Sequence, residues 1–426
     1  MKGETMSISK VTEGIYKLTA NVEDILFEGL WDIPEGVSLN SFVVKGEKTA
    51  LIDGFCGWDG MPETFLGKLK EMDLSLESID YIIINHMEPD HSGWIEGIRN
   101  LKEDVQIICS MAASKMLEAF YGHVDNVRVV KDGETLDLGN GRVLQFISAP
   151  GVHWPDTIFT FDQLSGTLFC CDAFGSYGSV GEKGYDDQLT QEELDFYEKE
   201  AVRYYANIVA AFSRMVVKAL QKAGGIDIKI IAPGHGLVWR KDPMKIVNDY
   251  ARYASYQDGP AKEKITLLWG SMYGMTKKGV DKAVEVLEKT GIEYDVINIM
   301  ETSWGFILGS VWESTGVILG MPTYENKMFP TMAAALEEIG KKTMKNRQAF
   351  RFGSFGWSGG AEKELAKIMD ECKTGWSFIP SVEYKGTPKE DHFQGIEAGV
   401  LELVDRVKAA VQGEVSEQVA GQEKAS

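Results

Sequence analysis

Apolar and polar positions divide this chain into two stretches of different rhythm. The first opens with short segments at 14–18, 41–45 and 50–53 in which apolar and polar residues alternate, the period expected of half-buried strands. Continuous apolar runs follow. Tyr81-Ile82-Ile83-Ile84 is β-branched and predicts a buried strand, as do Leu168-Phe169-Cys170-Cys171 and Ile230-Ile231-Ala232. Apolar positions across 191–222 recur instead at helical spacing, with Tyr204-Tyr205-Ala206-Asn207-Ile208 inside that stretch. From 265–269 onward strands and helices alternate regularly, which predicts a parallel sheet with helices on both faces. A polar Gly-Pro stretch, Tyr256-Gln257-Asp258-Gly259-Pro260, lies between the two patterns. Residues 1–258 and 262–411 are therefore expected to be separate domains, and 412–426 a polar tail that frays.

Composition narrows the class. A chain of 426 residues suggests two to three domains, and no run approaches the ~20 apolar residues that a membrane span requires. Its start carries no secretory pattern. Five cysteines without a CxxC argue against a disulfide framework, fit a reducing cytoplasm and exclude an attached rubredoxin-like iron site. Forty-four basic against 64 acidic residues give a formal charge of −20, which disfavours nucleic acid and anionic membranes as partners.

Candidate chemistry concentrates in His86-Met87-Glu88-Pro89-Asp90-His91, four metal-ligand types just past the apolar run at 81–84. Pro89 holds Glu88 extended, and the carboxyl end of a strand is where α/β sheets place their chemistry. His153, Asp172 and His235 also follow apolar strands, among Gly and Pro, whereas His123 and His392 lack such settings and read as surface residues. The donors suffice for two ions: His86, Glu88 and His153 for one, Asp90 and His235 for the other, with Asp172 between them. His91 either completes the second or stands outside it. Imidazole and carboxylate without thiolate suit iron or manganese as well as zinc, so redox chemistry is open. Asp156 is either an orienting partner of His153 or a plain turn residue. Residues of the 191–222 stretch read mostly as packing; the alternative is that a tyrosine there, Tyr204, donates a proton or hydrogen bond to a metal-bound ligand. Cys170 and Cys171 read as core.

The second stretch offers another site. The strand at 265–269 runs into Gly270-Ser271-Met272-Tyr273-Gly274-Met275-Thr276 and then a helix from near Lys277, a phosphate-loop arrangement of backbone N–H groups and a helix N-terminus. Two further strand-ending loops carry Pro322, Thr323, Tyr324 and Asn326, and Ser354, Phe355, Gly356, Trp357, Ser358 and Gly359. Tyr324 and Trp357 are suited to flank a flat ring while the first loop holds its phosphate, which describes bound flavin mononucleotide (FMN). The bland alternative is that Gly-rich turns merely connect strands.

These residues carry a resemblance. Up to about residue 410 the chain resembles the flavodiiron proteins, also called A-type flavoproteins. That family joins a metallo-β-lactamase-like αββα sandwich bearing two irons to a flavodoxin-like doubly wound parallel sheet bearing FMN. Its H-x-E-x-D-H segment falls on His86 to His91, its later histidine on His153, its bridging aspartate on Asp172 and its last histidine on His235. The three flavodoxin loops correspond to 271–276, 322–326 and 354–360. The chain departs from the pattern twice. It reads Phe27-Glu28-Gly29 where many members have Phe-His-Gly, which makes Glu28 either a proton relay or an extra carboxylate near iron, and Tyr273 stands where flavodoxins usually have Thr.

The resemblance implies an oxidoreductase that reduces dioxygen to water, nitric oxide to nitrous oxide, or both, at a non-haem diiron site fed by FMN. It further implies a head-to-tail homodimer, or a dimer of dimers, and a separate rubredoxin-like or other small electron donor. A zinc-dependent hydrolase of the metallo-β-lactamase fold with an accessory flavodoxin-like domain is the rival reading, and Glu88 in place of a histidine argues against it. A simple flavin electron carrier is the third.

Overall fold

The computed structural model describes residues 6–55, 64–122 and 125–425, with side chains to residue 413. The chain divides into two compact units, Met1–Ala251 and Arg252–Ser426. The division falls inside the helix Pro243–Ser255, earlier than the Gly-Pro stretch. Residues 256–258 are tied into the second unit: Arg347 Nη2 donates to the Tyr256 carbonyl at 2.7 Å and the Lys345 N–H to that of Gln257 at 2.8 Å.

In the first unit two sheets face each other. The larger has seven strands. Ser7–Thr12, Ile15–Val22, Val37–Lys45 and Thr49–Ile52 are mutually antiparallel, and Ile79–Ile83, Gln106–Cys109 and Val127–Val129 continue parallel to the last of them. The smaller sheet runs Thr135–Asp137, Val143–Ser148, Ile158–Asp162 and Thr167–Phe169, antiparallel, with Ile230–Ala232 added parallel at its end. Alternation along each strand decides the layers. Ile15, Phe42, Ile52 and Ile83 from one sheet bury against Leu144, Phe146, Ile158 and Phe169 from the other, forming one core cluster. The intervening residues point outward yet are also buried, because helices cover them: Ser213–Ala223 packs over Phe159, Leu168 and Ile231. This is the metallo-β-lactamase-like sandwich. The helical stretch expected at 191–222 is interrupted. An α-helix, Gln191–Tyr204, passes through a π-helical turn, Tyr205–Val209, and a 3-10 turn, Ala210–Phe212, before Ser213–Ala223.

The second unit is a parallel sheet ordered Glu293–Asn298, Lys262–Trp269, Ser314–Gly320, Gln348–Phe355, with Ser377–Phe378 and Val382–Lys385 both pairing with the last of these. That is the 2-1-3-4-5 order of flavodoxin-like folds. Its core gathers Ile265, Leu267, Ile318, Phe350 and Phe352 beneath Val280, Leu287, Ile396 and Val400 of two helices. The second of those, Glu390–Ala425, runs through the segment expected to fray from Gln412, so the polar tail is helical. Its backbone bonds are satisfied within the helix, which polar side chains do not prevent. Among the described residues no helix is long and apolar enough to cross a membrane.

One buried cation tests this core. Lys17, on the strand Ile15–Val22, is 2% exposed; its Nζ donates to the Gly184 carbonyl at 3.2 Å and lies 4.9 Å from the Tyr185 ring centroid. Burial, then repulsion from Arg240, pushes its pKa from 10.5 down to about 7. The unfolded chain therefore binds more protons than the folded one between pH 7 and 10.5, and stability rises with pH across that window. Lys17→Met is expected to remove this slope, the difference between variant and wild type changing by on the order of 4 kcal/mol over the window. Urea unfolding at a series of pH values measures it; parallel profiles would show that the ammonium is adequately solvated.

Candidate metal centre and phosphate loop

The ligands reach one another because loops from both sheets end on the same rim. After the strand Ile79–Ile83 the chain is pinned at Asn85: its N–H donates to Asp53 Oδ1 at 2.8 Å, its Oδ1 accepts from Thr160 at 2.7 Å, and its Nδ2 donates to the Phe169 carbonyl at 3.3 Å. Glu88 then caps a single helical turn, Pro89–Ser92, with Pro89 in the first position where its missing N–H costs nothing. The turn projects Asp90 and His91 beside Glu88, and Ser92 Oγ returns to the Met87 carbonyl at 2.9 Å.

At the centre stands Asp172, buried, with each carboxylate oxygen facing a different group. Its Oδ2 lies 3.1 Å from His86 Nε2 and 3.2 Å from His153 Nε2, and Glu88 Oε2 is 3.2 and 3.1 Å from the same two nitrogens. Its Oδ1 lies 2.9 Å from His91 Nε2 and 3.0 Å from His235 Nε2, with Asp90 Oδ2 3.4 Å from His235. Two ligand groups result: His86, Glu88, His153 and Asp172, and Asp90, His91 and His235. His91 thus takes its place in the second group.

The four imidazoles, this close to three carboxylates, hold protons tightly. Burial opposes charge on every one, yet Asp172 and Glu88 raise His153 to about 9, and Asp172 and Asp90 raise His235 to about 10. Burial alone would lift Asp172, but the surrounding histidines, His91 foremost, hold it well below the carboxylate range. Even so, His153 Nε2, His235 Nε2, Asp90 Oδ1 and Asp172 Oδ2 lack a well-formed hydrogen bond. Inward-facing nitrogens and carboxylate oxygens left in that state fit a pair of cations.

Of the outward atoms, His235 Nδ1 lies 3.3 Å from the Ser38 carbonyl, whereas His86 Nδ1 faces Asp156 Oδ1 at 3.5 Å without a well-formed hydrogen bond. Asp156, expected to orient His153 if it orients anything, is instead the partner of His86, because Asp156 Oδ2 accepts the Met87 N–H at 2.8 Å and so fixes the carboxylate beneath that strand end. Tyr204, at the end of its helix, donates its hydroxyl to Asp172 Oδ1 at 3.0 Å. Glu28 accepts from Trp31 Nε1 at 2.8 Å; the residue is exposed overall, but crowding of its carboxylate, then Glu88, lifts its pKa to about 7. Phe27 beside it packs edge-on against His235. An open cleft of about 560 Å³ reaches His153. Of the remaining histidines, His392 is half-buried and accepts the Lys389 N–H at 3.1 Å, and His123 lies outside the described residues.

Asn40 was not singled out by the sequence. Its Nδ2 donates to the carbonyls of Pro233 at 3.1 Å and Gly236 at 3.0 Å, its N–H to that of Gly234 at 2.7 Å, and Thr19 donates to its Oδ1 at 2.9 Å. It clamps the loop that carries His235. An asparagine in an apolar strand, Val37–Lys45, was the available signal.

In the second unit the three predicted loops lie at the carboxyl ends of adjacent strands, except that Ser354 and Phe355 are still within the strand Gln348–Phe355 and Thr323–Tyr324 pair with Lys327–Met328 as a short hairpin. Ser271 Oγ accepts the Gly274 N–H at 3.0 Å, Gly274 takes φ 81°, and the sixteen-residue helix Met275–Thr290 begins immediately after it. Thr276 is buried with its hydroxyl 3.0 Å from that of Ser354, joining the first loop to the third. Gly360 joins the third to the second, since a Cβ there would lie 2.0 Å from the Asn326 carbonyl oxygen. Tyr273, Trp357 and Tyr324 are exposed by 88, 77 and 41%, so three aromatic faces rim the loops.

Comparison with known proteins decides the family. Residues 37–236 match the ODP family beta lactamase model. The chain is 32% identical over 389 residues to a nitric oxide reductase of Moorella thermoacetica, covering 90% of this chain and 95% of that one. Its structure superposes on rubredoxin oxygen:oxidoreductase of Desulfovibrio gigas with a TM-score of 0.88 at 26% identity, and on the flavodiiron protein of Giardia intestinalis with 0.86 at 27%. These cover 95 and 97% of this chain and 100 and 99% of theirs. The chain belongs to the flavodiiron protein family. As a flavodiiron protein it is an oxidoreductase, and its paired ligand groups are a diiron-type centre.

Two outcomes follow for this centre. In the metal-free flavodiiron protein His153 and His235 carry protons at pH 7, and metal takes only the neutral imidazoles, so uptake of ferrous iron at pH 7 is expected to release roughly two protons or more, with apparent affinity rising until the pH passes about 9 to 10. Calorimetry in buffers of different ionisation enthalpy reads this; heats independent of buffer would contradict it. Asn40→Ala leaves two carbonyls of the His235 loop without a donor and is expected to cost roughly 1–3 kcal/mol and to weaken metal retention about 10- to 100-fold. Thermal melts and iron content after dialysis check both effects.

Proposed function

We propose that this flavodiiron protein reduces dioxygen to water, nitric oxide to nitrous oxide, or both, at two non-haem irons supplied with electrons through FMN. The observation that carries the reading is Asp172, whose two oxygens each face a separate histidine-carboxylate group. When bound, two ferrous ions and a two-electron flavin supply four electrons, enough to reduce dioxygen completely, whereas nitric oxide needs two per pair.

The chain's own residues then have separable tasks. His86, Glu88 and His153 would hold one ion and Asp90, His91 and His235 the other, with Asp172 placed between the two groups. Asp156 and the Ser38 carbonyl keep the Nε2 atoms of His86 and His235 aimed inward. The buried Tyr204 hydroxyl holds Asp172 in place by donating to its Oδ1 and keeps a proton at its Oη. Glu28, with a pKa near 7 and within the field of Glu88, holds or passes a proton beside the centre. FMN would be held by 271–276 at its phosphate and by 322–326 and 354–359 around its ring, with Tyr324 and Trp357 as the aromatic residues available to flank it. The backbone turn at Gly274, the helix start and the exposed aromatics support this assignment.

A rubredoxin-like carrier is the electron donor in this reading, supported by the name of the similar Desulfovibrio protein. A head-to-tail homodimer brings the FMN of one copy to the irons of the other, and the protein works in the cytoplasm, consistent with the free Cys109, Cys170, Cys171 and Cys372.

Iron, zinc and FMN content of one anaerobically purified sample is the deciding measurement. Two irons per FMN with turnover of either gas is the expected result. Zinc with hydrolytic activity would replace this reading by the hydrolase, and flavin without metal would leave an electron carrier. Glu28→His is expected to keep the metal content and shift the ratio of oxygen to nitric oxide turnover by roughly tenfold, as for loss or exchange of a proton-transfer group; an unchanged ratio would remove Glu28 from the mechanism.

A further inference from the structure

Resting on the reductase reading above, we propose that an apolar cavity in the first unit is the reservoir from which dioxygen or nitric oxide reaches the metal centre. The cavity, about 110 Å³, lies between the helix Ser213–Ala223, the helix Pro243–Ser255 and the outward face of the smaller sheet. Val216, Ala219 and Ala223 form one wall, and Phe159, Leu168 and Ile231 the other. Only one polar side chain lines it, Tyr250, and that hydroxyl is engaged with the Gly175 carbonyl at 2.9 Å. A water molecule needs two to four polar partners to remain in such a space, and dry apolar cavities of this size instead take up xenon and other uncharged small molecules. An ionic or hydrogen-bonding ligand has nothing to bind. A diatomic gas loses no hydrogen bond on entering.

The position of the cavity gives this dryness a use. One end is at the surface, where Met244 and Gly224 are exposed and Ile226 and Ile228 half-buried. The other end is closed by Val152, Ala173 and Phe174, all buried. Val152 precedes the ligand His153, and Ala173 and Phe174 follow the ligand Asp172. The apolar space therefore runs from solvent to the backbone that carries two of the metal-holding side chains. The open cleft at His153 is the competing route, broader and bordered by Lys218 and Lys222.

Crystals of the holoenzyme under xenon pressure, together with steady-state kinetics at varied gas concentration, test the proposal. Xenon is expected between Ala219, Phe159 and Ile231. Ala223→Phe, which fills the cavity from its mouth, is expected to abolish that xenon site and lower kcat/KM for the gas by roughly tenfold through slower access, leaving kcat at saturating gas, iron content and FMN content unchanged. If that variant does not fold, Leu220→Trp fills the same space from the middle of the helix and carries the same expectation. Absence of xenon from the cavity, or a filled cavity with unchanged kcat/KM, overturns the proposal and assigns gas entry to the cleft at His153. If the wild-type holoenzyme turns over neither gas, the reductase reading fails, and a xenon site found there is a packing void.

Discussion

A single buried carboxylate sets the terms for the first unit. Asp172 has four imidazole nitrogens within about 3.2 Å, from three separate segments of the chain, and a tyrosine hydroxyl on one oxygen. A carboxylate in that position is costly to desolvate, and so is each charged histidine, unless every partner stays in place. The two carboxylate-bearing groups around it balance this charge in pairs, Glu88 on one side and Asp90 on the other. Removing one member would strand the rest, and for that reason the loops themselves are tied down.

The ties are polar and buried. Asn85 and Asp53 fix the exit of one strand, Asn40 fixes the loop after another, and Asp156 reaches from a third to the first histidine. Asp53, Cys171 and Phe174 adopt left-handed backbone conformations within this rim, at φ 51, 43 and 67°. Such conformations disfavour residues with a Cβ, and they persist where the surroundings over-determine them. The sandwich thus spends buried hydrogen bonds on orientation more than on cohesion, which its apolar core already provides. The π-helical turn after Tyr204 belongs to the same logic, since it re-aims a helix at the point where a side chain must meet Asp172.

The second unit solves a different problem with less polar burial. Its loops need an approachable backbone rather than convergent side chains, so small residues and a left-handed glycine carry the first loop, and a close glycine-carbonyl approach joins the other two. Its large exposed residues, Tyr273 and Trp357, are concentrated at those loops, where flat surfaces suit a flat ligand.

The sequence by itself determined the type of most elements and the candidate metal ligands. Strand-ending positions, donor types and spacing along the chain are local properties, and His86, Glu88, Asp90, His153, Asp172 and His235 were all legible from them. Local signals could not say which imidazole meets which oxygen. His91 entered the second group, and Asp156 served His86 rather than His153, because those pairings depend on how two sheets stack and where their rims meet. The role of Asn40 was hidden for the same reason: its presence in a strand was a signal, but its donors act on a loop almost two hundred residues away. The helical tail past Gln412 shows the converse, a polar stretch whose backbone hydrogen bonds are local to the helix. Chemistry was written in the order of residues, and its geometry came from non-local packing, where distances are set by contacts between segments that the chain keeps far apart.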